Sequence, residues 1–399
     1  MGAVPVLPLG VALAMKVMIA LNSAWNLLNF RAGLIRALLA DGHTVVLIAP
    51  ADEHVPALEA LGSRFVYLPM RTHGINPLFD LVLLGRFMSE LRRERPDVLM
   101  AYTAKPNIYG SIAAHVLGIP VVNNIAGLGS AFIKGGWLAL VLTTLYRFAL
   151  SRAKRVFFQN PDDYRQFVEM GLVRAAQCAV LPGSGVDLKR FQPVPLPNLQ
   201  MADERNVQST IDRRFVFLVV ARLLKDKGVQ EFAEAARLLK SSYPWAEFAL
   251  LGFKDSQNPN AVSEEQLALW QEKGWVTYWG SSADVREPLA LADCVVLPSY
   301  REGTPRTLLE AAAMGRPLVA TDVPGCREVV RHGFNGLLCQ PRDAQDLANQ
   351  MQAILQMPAE QLAKMGQASR QLVEERFDEQ LVIDAYLKVL DGKRPANTP

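Results

Sequence analysis

The chain is poor in the residues that usually build metal, redox or disulfide chemistry. Its four cysteines, Cys178, Cys294, Cys326 and Cys339, are scattered without C-x-x-C spacing. That argues against a disulfide framework or a zinc site and for a reducing compartment. The five histidines form no close cluster, so a His-based metal site has no local support, and His43 and His115 read as structural. No G-x-G-x-x-G follows the first strand-like run, Lys16–Leu21, which disfavours a nicotinamide dehydrogenase. Long apolar runs are also missing. Residues 1–14 are apolar but too short for a spanning helix, lack a basic n-region and carry Pro5 and Pro8. They read as a disordered extension or an upstream start before Met15, with a weak membrane-touching tail as the alternative. A periplasmic-type sugar-binding protein would need an export signal, which this segment supplies poorly.

What is present is a rhythm. Half of the residues are hydrophobic and a fifth are charged, so the chain is globular, and 399 residues suffice for two domains. Short apolar runs at Lys16–Leu21, Thr44–Ala49, Phe65–Leu68, Val98–Ala101, Val121–Asn123, Val156–Gln159 and Ala179–Leu181 alternate with helical patterns such as Phe30–Ala40, Leu78–Arg93 and Asn107–Leu117. The rhythm breaks in a Pro-rich, then polar stretch over 191–212. It restarts at Phe215–Val220, Glu247–Leu251, Val276–Trp279, Cys294–Leu297, Leu318–Ala320 and Gly336–Cys339, with helical patterns at Val229–Lys240, Glu264–Lys273 and Ala344–Leu355. Alternation of this kind predicts parallel, doubly wound sheets that bind ligands beyond the carboxyl ends of their strands. The expected organisation is an extension over 1–14, a Rossmann-like domain over 15–190, a linker over 191–212 and a second Rossmann-like domain over 213–378. A cleft separates the two domains, and a last helix over 379–392 packs back across the hinge.

Charge is unevenly spread. Residues 1–200 hold 19 Lys+Arg against 12 Asp+Glu, a balance of +7, and the remaining 23 against 27 give −4. A basic first half suits an anionic partner or membrane surface, the alternative being ordinary surface variation. Trp137–Leu150 is apolar for about 14 residues, too few to span, and is flanked by Lys134, Arg147, Arg152, Lys154 and Arg155. It reads either as an interfacial helix or as a buried crossover helix.

The densest chemistry lies in Pro298–Gly315, PSYREGTPRTLLEAAAMG. Glu302 falls in a loop after an apolar strand, and Glu310 about one and a half turns into the next helix. Thr304 is expected as the N-cap, Pro305 at the first helical position and Gly315 as the stop. Such a helix start suits an anion, and two carboxylates suit sugar hydroxyls. The competing reading is that Thr307-x-x-Glu310 is only a capping box and Glu302 an ordinary loop carboxylate. At the end of another strand, Arg222 and Lys227 in ARLLKDKG (Ala221–Gly228) supply two cations able to hold a diphosphate. Solvated surface cations are the alternative.

These elements, followed by GSSADVREPLALADCVVLPSYREGTPRTLLEAAAMGRPLVATDVPGCREVV and HGFNGLLC, resemble the retaining glycosyltransferases of family 4, which have the GT-B fold. The resemblance is dense over about 215–340 and thinner before. It implies that Glu310 binds the nucleotide ribose, that Glu302 contacts donor-sugar hydroxyls, and that Gly303, Thr304 and Pro305 lie in a loop binding phosphate and sugar. It also implies that Arg222 and Lys227 hold the diphosphate and that Asp284 and Val285 touch the base. The chain has no Asp-x-Asp, the metal-binding motif of the other major transferase fold, so no metal and no cofactor is implied.

The first half departs more from this family. Ser23-Ala24 stands where many relatives carry a glycine pair near the donor phosphates. Asn29 and Arg31 in NFR, YTAKPNIYG (Tyr102–Gly110) and NNIAGLGSAF (Asn123–Phe132) resemble a subgroup that adds a hexosamine to an undecaprenyl-diphosphate sugar. A histidine common in relatives is replaced by Asn124-Ile125-Ala126-Gly127, so its role does not carry over. Lys105 and Asn29 are the substitutes proposed near the reacting centre, although Lys105-Pro106 also suits a helix start. The resemblance implies a UDP-linked N-acetylhexosamine donor, a lipid-diphosphate-linked acceptor, no nucleic-acid partner, and a cytoplasmic enzyme peripheral to the inner membrane face. A GT-B enzyme of other chemistry, an epimerase or phosphorylase, is the competing class.

Overall fold

A computed structural model of the protein describes residues 14–71, 76–127, 137–197, 214–255 and 258–392. The expected extension, most of the expected linker and part of NNIAGLGSAF lie outside these residues. The described chain divides into two compact units, one of residues up to Leu181 together with those from Val382 onward, the other Pro182–Leu381.

In the first unit, strands and helices alternate in the order β1 (Lys16–Ala20), α1 (Ala24–Ala40), β2 (Thr44–Ala49), α2 (Val55–Ala60), β3 (Arg64–Tyr67), α3 (Pro77–Glu94) and β4 (Val98–Tyr102). A single π-helical turn, Pro106–Gly110, then runs into α4 (Ser111–Val116), followed by β5 (Val121–Ile125), α5 (Trp137–Leu150), β6 (Arg155–Phe158), α6 (Pro161–Glu169) and β7 (Cys178–Val180). The seven strands form one parallel sheet in the order β3-β2-β1-β4-β5-β6-β7. Residues of one parity along the strands, Val17, Ile19, Val98, Met100 and Phe157, pack with α1, and those of the other, Met18, Ala20, Leu99 and Ala101, pack with α3 and α4. Burial on both faces is why these strands read as unbroken apolar runs.

The second unit repeats the plan with β8 (Phe215–Val220), α7 (Val229–Lys240), β9 (Ala246–Leu251), α8 (Glu264–Glu272), β10 (Thr277–Tyr278), α9 (Arg286–Leu291), β11 (Cys294–Leu297), α10 (Arg306–Ala313), β12 (Leu318–Thr321), α11 (Cys326–Val329), β13 (Gly336–Cys339), α12 (Ala344–Leu355) and α13 (Ala359–Arg376). Its six parallel strands run β10-β9-β8-β11-β12-β13. The last described helix, α14 (Glu379–Leu390), buries Val382, Ile383, Tyr386 and Val389 in the first unit's core.

The division between units falls at Leu181–Pro182, not at 190/191. Residues 182–197 are fastened to the second unit. Val186 exchanges backbone bonds with Phe377 and Glu379, Phe191 and Leu196 are buried, and Arg316 donates to the carbonyls of Val194 (2.5 Å), Pro195 (3.2 Å) and Ala292 (3.0 Å). A buried guanidinium needs such acceptors, and Pro-rich backbone, with few N–H groups of its own to serve, leaves carbonyls to give.

Polar residues inside the first unit's strands form a buried network. Asn123 Nδ2 donates to Asn107 Oδ1 (2.9 Å) and Ser111 Oγ (2.8 Å), Asn107 Nδ2 to the Asn124 carbonyl (2.8 Å), and Asn124 Nδ2 to the Tyr386 hydroxyl (3.1 Å). The Tyr386 ring also meets Phe157 edge-on at 4.9 Å. Tyr386→Ala should therefore cost about 3–5 kcal/mol. Tyr386→Phe should cost about 1–2 kcal/mol, mainly by stranding the Asn124 amide. Urea unfolding, with hydrogen exchange read at β4–β6, checks the ranking, and equal effects of the two variants would contradict it.

Candidate active site

Three neighbouring strands of the second unit, β8, β11 and β12, end at one edge, and the segments that follow them meet there. After β8 the chain passes Arg222 and a 3-10 turn, Lys225–Lys227, before Gly228 opens α7. Gly228 has φ +70°, and a Cβ there would lie 2.0 Å from the carbonyl oxygen of Pro298, just past β11. Only glycine permits both this backbone conformation and this approach. One step along, the Tyr300 N–H donates to the Asp226 carbonyl at 2.9 Å. The two segments are thus held backbone to backbone, and Lys227 Nζ reaches Glu302 Oε1 at 2.5 Å, both side chains mostly buried. From the β12 side, the Glu302 N–H donates to the Pro324 carbonyl (3.3 Å), and a Cβ at Gly325 would lie 2.2 Å from the Gly303 carbonyl oxygen. The Thr321 hydroxyl donates to the Ser299 carbonyl.

Glu310 forms a second pole. It accepts from Arg306 Nε at 2.8 Å within α10. Burial pushes its carboxyl above the ordinary range, against the pull of Arg306 and Arg190, while Asp284 adds to the rise. Asp284 is gripped by Arg286, whose Nη2 lies 2.5 Å and Nε 2.9 Å from Oδ2, and Arg190 Nη2 stands 3.7 Å away. The Arg286 contacts hold the Asp284 carboxyl down to about 2. Val285 is the residue preceding α9. Arg222, half exposed, has only a long 3.9 Å pairing with Asp255, an exposed contact contributing about 0–1 kcal/mol and easily exchanged for a ligand.

Two expectations about the helix start are corrected. α10 begins at Arg306, so Thr304 is not its N-cap and Pro305 is not its first residue. Pro305 occupies the cap position with extended backbone (ψ 113°) and no side-chain cap bond. Thr304 is instead pressed against the segment entering this unit, since a Cβ at Gly183 would lie 2.6 Å from Thr304 Cβ. Nor does a capping box form. Thr307 sits inside the helix and donates to the Val220 carbonyl at 3.0 Å, leaving Glu310 to Arg306. Gly315, at φ +73°, follows the last residues of α10 in the left-handed position expected of a stop.

The second unit thus joins Lys227 to Glu302 and sets Asp284 and Glu310 beside Arg190, while Arg222, Gly303, Thr304, Pro305 and Val285 lie on the segments that carry these groups. Two arginines escape the sequence reading. Arg306 carried a signal, four residues before Glu310 on one helix face. Arg190 had none, being about 94 residues from Asp284, which it faces, and about 120 from Glu310.

The remaining candidates lie in the first unit. Ser23 caps α1, its Oγ accepting from the Asn26 N–H at 3.1 Å, and Ala24 is buried in the first turn. Asn29 Nδ2 donates to the Trp25 carbonyl (3.0 Å). Lys105 Nζ pairs with the buried Asp80 at 2.8 Å, so it serves as that carboxylate's counter-ion. His43 accepts from the Met15 N–H at 3.2 Å, and His115 Nε2 lies 2.7 Å from the Ala149 carbonyl, both structural placements. Among the described residues no group of three or more His, Cys, Asp or Glu is arranged to hold a metal ion.

Two parallel-sheet Rossmann-like units, the second gathering cations and carboxylates at its strand ends, define an α/β protein of the GT-B class. Solved structures agree on the fold. Anabaena HepE in complex with UDP and glucose superposes with a TM-score of 0.76 at 22% identity, covering 95% of this chain and all of that one. Sucrose-phosphate synthase from Thermosynechococcus elongatus gives 0.76 at 21% identity, covering 94% and 98%. The family profile "Glycosyl transferases group 1" matches residues 200–372, and "Glycosyl transferase 4-like domain" matches residues 30–183. The chain is 30% identical over 371 residues, 92% of its own length and 96% of the relative's, to the N,N'-diacetylbacillosaminyl-diphospho-undecaprenol alpha-1,3-N-acetylgalactosaminyltransferase of Campylobacter jejuni. It is 27% identical over 290 residues, 72% of its length and 73% of the relative's, to the UDP-Gal:alpha-D-GlcNAc-diphosphoundecaprenol alpha-1,3-galactosyltransferase of Escherichia coli. The chain belongs to the group 1 glycosyltransferases.

Gly228→Ala tests the packing beneath the site. Gly274, at φ +67°, has open space where a Cβ would lie, with nothing within 4 Å, so Gly274→Ala should cost only the backbone strain of about 1–2 kcal/mol. Gly228→Ala adds the collision with Pro298 and should cost at least about 2 kcal/mol more. Chemical denaturation of both variants decides, and similar losses would contradict the close approach.

Proposed function

We propose that this glycosyltransferase moves an N-acetylhexosamine from a UDP-linked donor to a lipid-diphosphate-linked saccharide, with retention of configuration. The observation that carries the donor half is the Lys227–Glu302 pair at the strand ends, with the Arg306-bound Glu310 in the helix that follows. The acceptor half is supported by the relatives named above, both of which act on diphospho-undecaprenol substrates by name.

In this reading Arg222 and Lys227 take the donor diphosphate, as fixed cations that stabilise it while it leaves. Lys227 exchanges its bond with Glu302 for one with phosphate, and Glu302 is released to orient sugar hydroxyls. The loop Gly303–Pro305 borders phosphate and sugar, Glu310 binds the ribose, and Asp284 and Val285 border the base. Arg306 and Arg190 oppose the burial that raises the Glu310 pKa, and Arg306 aims the carboxylate by its 2.8 Å bond. The acceptor hydroxyl oxygen bonds to the anomeric carbon as the bond to the β-phosphate oxygen breaks, and the departing phosphate takes the hydroxyl proton. No protein nucleophile and no metal is invoked. The first unit holds the acceptor, with Asn29 assigned near the reacting centre, and Ser23 and Ala24 are kept as donor-phosphate candidates. Lys105 is assigned a supporting part, through Asp80. Among the described residues no helix is long and apolar enough to cross a membrane, and the enzyme is assigned to the cytoplasmic membrane face as a peripheral protein.

Purified protein, a panel of UDP-sugars and membrane lipid extract form the direct test, with product mass as readout. A lipid product heavier by one N-acetylhexosamine is expected; donor hydrolysis or epimerisation without lipid product would overturn the reading. Glu310→Gln and Lys227→Met should each lower kcat/KM for donor by about 100-fold or more, roughly 3 kcal/mol of transition-state stabilisation. Near-normal activity in both would overturn the site. Arg306→Gln should move the acid limb of the donor kcat/KM profile to higher pH. Burial already raises the Glu310 pKa and Arg306 opposes that rise, so its loss lets the carboxyl protonate sooner as pH falls. An unmoved limb would contradict this role for Arg306.

A further inference from the structure

The first unit carries an apolar surface that its own packing does not use. α3 buries Asp80, Leu83, Phe87 and Leu91 against the sheet. Its other side exposes Leu78 (76%), Phe79 (47%), Leu81 (66%) and Val82 (50%), all within the first two turns. On α5, Leu140 and Val141 are also exposed. Both helices join parallel strands, so both begin at the carboxyl edge of the sheet. They also lie on the same face of it. Along β5, Val121 belongs to the core beneath α3 and Ile125 to the core beneath α5, and residues of equal parity share a face. The π-helical turn Pro106–Gly110 packs against both helices and spaces them.

Charge on these two outer surfaces has one sign. From Asn76 to Ser89 the exposed side chains include no acid, because Asp80 is buried against Lys105, and the exposed charge is Arg86. Arg71 lies just ahead, its guanidinium 3.8 Å over the Phe79 ring. From Leu140 to Arg152 there is again no exposed acid; Arg147 and Arg152 lie toward the far end of α5, Arg147 donating to the Met170 and Gly171 carbonyls, so the arginines nearest the apolar side chains are Arg71 and Arg86. Apolar side chains among arginines, without acidic partners, match a bilayer interface with anionic headgroups, where the chains dip below the headgroups and the arginines stay level with them. A symmetric contact with a second copy would bring like charges face to face with nothing to offset them.

We infer that the first two turns of α3, with Leu140 and Val141 of α5 on the same sheet face, form the surface by which this enzyme docks on an anionic membrane, beside the strand-end edge assigned to the acceptor. The inference rests on the reading of a membrane-held acceptor, and the test separates the two. Vesicles of phosphatidylcholine with phosphatidylglycerol, containing no acceptor and no donor, should co-sediment the full-length protein. Pure phosphatidylcholine vesicles should do so at least tenfold more weakly. Leu81→Gln combined with Val82→Gln should lower binding to the anionic vesicles at least tenfold while leaving the melting temperature unchanged, since both side chains point outward. The same variant should transfer sugar normally to a short-chain, water-soluble analogue of the acceptor and poorly to acceptor embedded in vesicles. Equal vesicle binding by variant and parent would overturn the docking surface, as would a parent dimer that the variant splits. If neither form of lipid-linked acceptor is used, the acceptor reading fails, and the vesicle arm still decides the surface on its own.

Discussion

The second unit's chemistry depends on one ion pair, Lys227 with Glu302, and on the backbone contact that makes it possible. A lysine and a glutamate 75 residues apart meet because Gly228 lets its turn touch the carbonyl of Pro298 and because Asp226 accepts from Tyr300. The pair is largely withdrawn from water, so each group has a partner of opposite charge when no ligand is bound. In the proposed reading this arrangement is poised for exchange: a diphosphate would offer Lys227 a stronger anion, and the attached sugar would offer Glu302 hydroxyl donors. Glu310 is prepared differently, by burial against Arg306 with Arg190 and Asp284 nearby. One carboxylate is held by a cation that the proposed ligand would take, the other by a cation on its own helix.

Much of this was legible in the sequence, and the reason is burial on both sheet faces. Each of the thirteen described strands appeared as an apolar run within a residue or two of its observed position; the inner strands are covered on both sides and have no polar alternation to blur them, while the partly exposed edge strands β3 and β10 showed through their aromatic and β-branched residues. Residues at the strand ends were legible too, because glycine, lysine and glutamate interrupt those runs where the backbone leaves the sheet. The helix start at Arg306 was misplaced because its determinant is remote: Thr304 is occupied by Gly183, about 120 residues earlier. The same distance hid Arg190. α13 was passed over because its buried side includes Gly366, Ala368 and Ser369, small residues that let it lie against the turn after α10, where a Cβ at Gly366 would come within 2.3 Å of the Gly315 carbonyl oxygen. Those small residues interrupt the apolar stripe of Leu362, Met365, Leu372 and Val373 that the same side carries.

The first unit was less legible because its polar residues are turned inward. Arg31 is buried with its guanidinium 4.2 Å over the Tyr102 ring, and the side-chain amides of Asn107, Asn123 and Asn124 donate within one buried network. Motifs that resembled a lipid-linked subgroup therefore contain structural residues as well as candidate acceptor-binding ones. A buried polar network is costly unless complete, and this one draws on α14, the chain's last described helix, to supply Tyr386. The first unit's core is thus finished only when that helix is in place.

The most direct measurement of the central claim is a double-mutant cycle on UDP binding, read by isothermal titration. Lys227→Met alone should weaken UDP. Glu302→Gln alone should tighten it, because Lys227 no longer has to leave a carboxylate, and the tightening should vanish when Lys227→Met is also present. Independent, additive effects of the two substitutions, or UDP binding indifferent to Lys227→Met, would contradict the exchange on which the account rests.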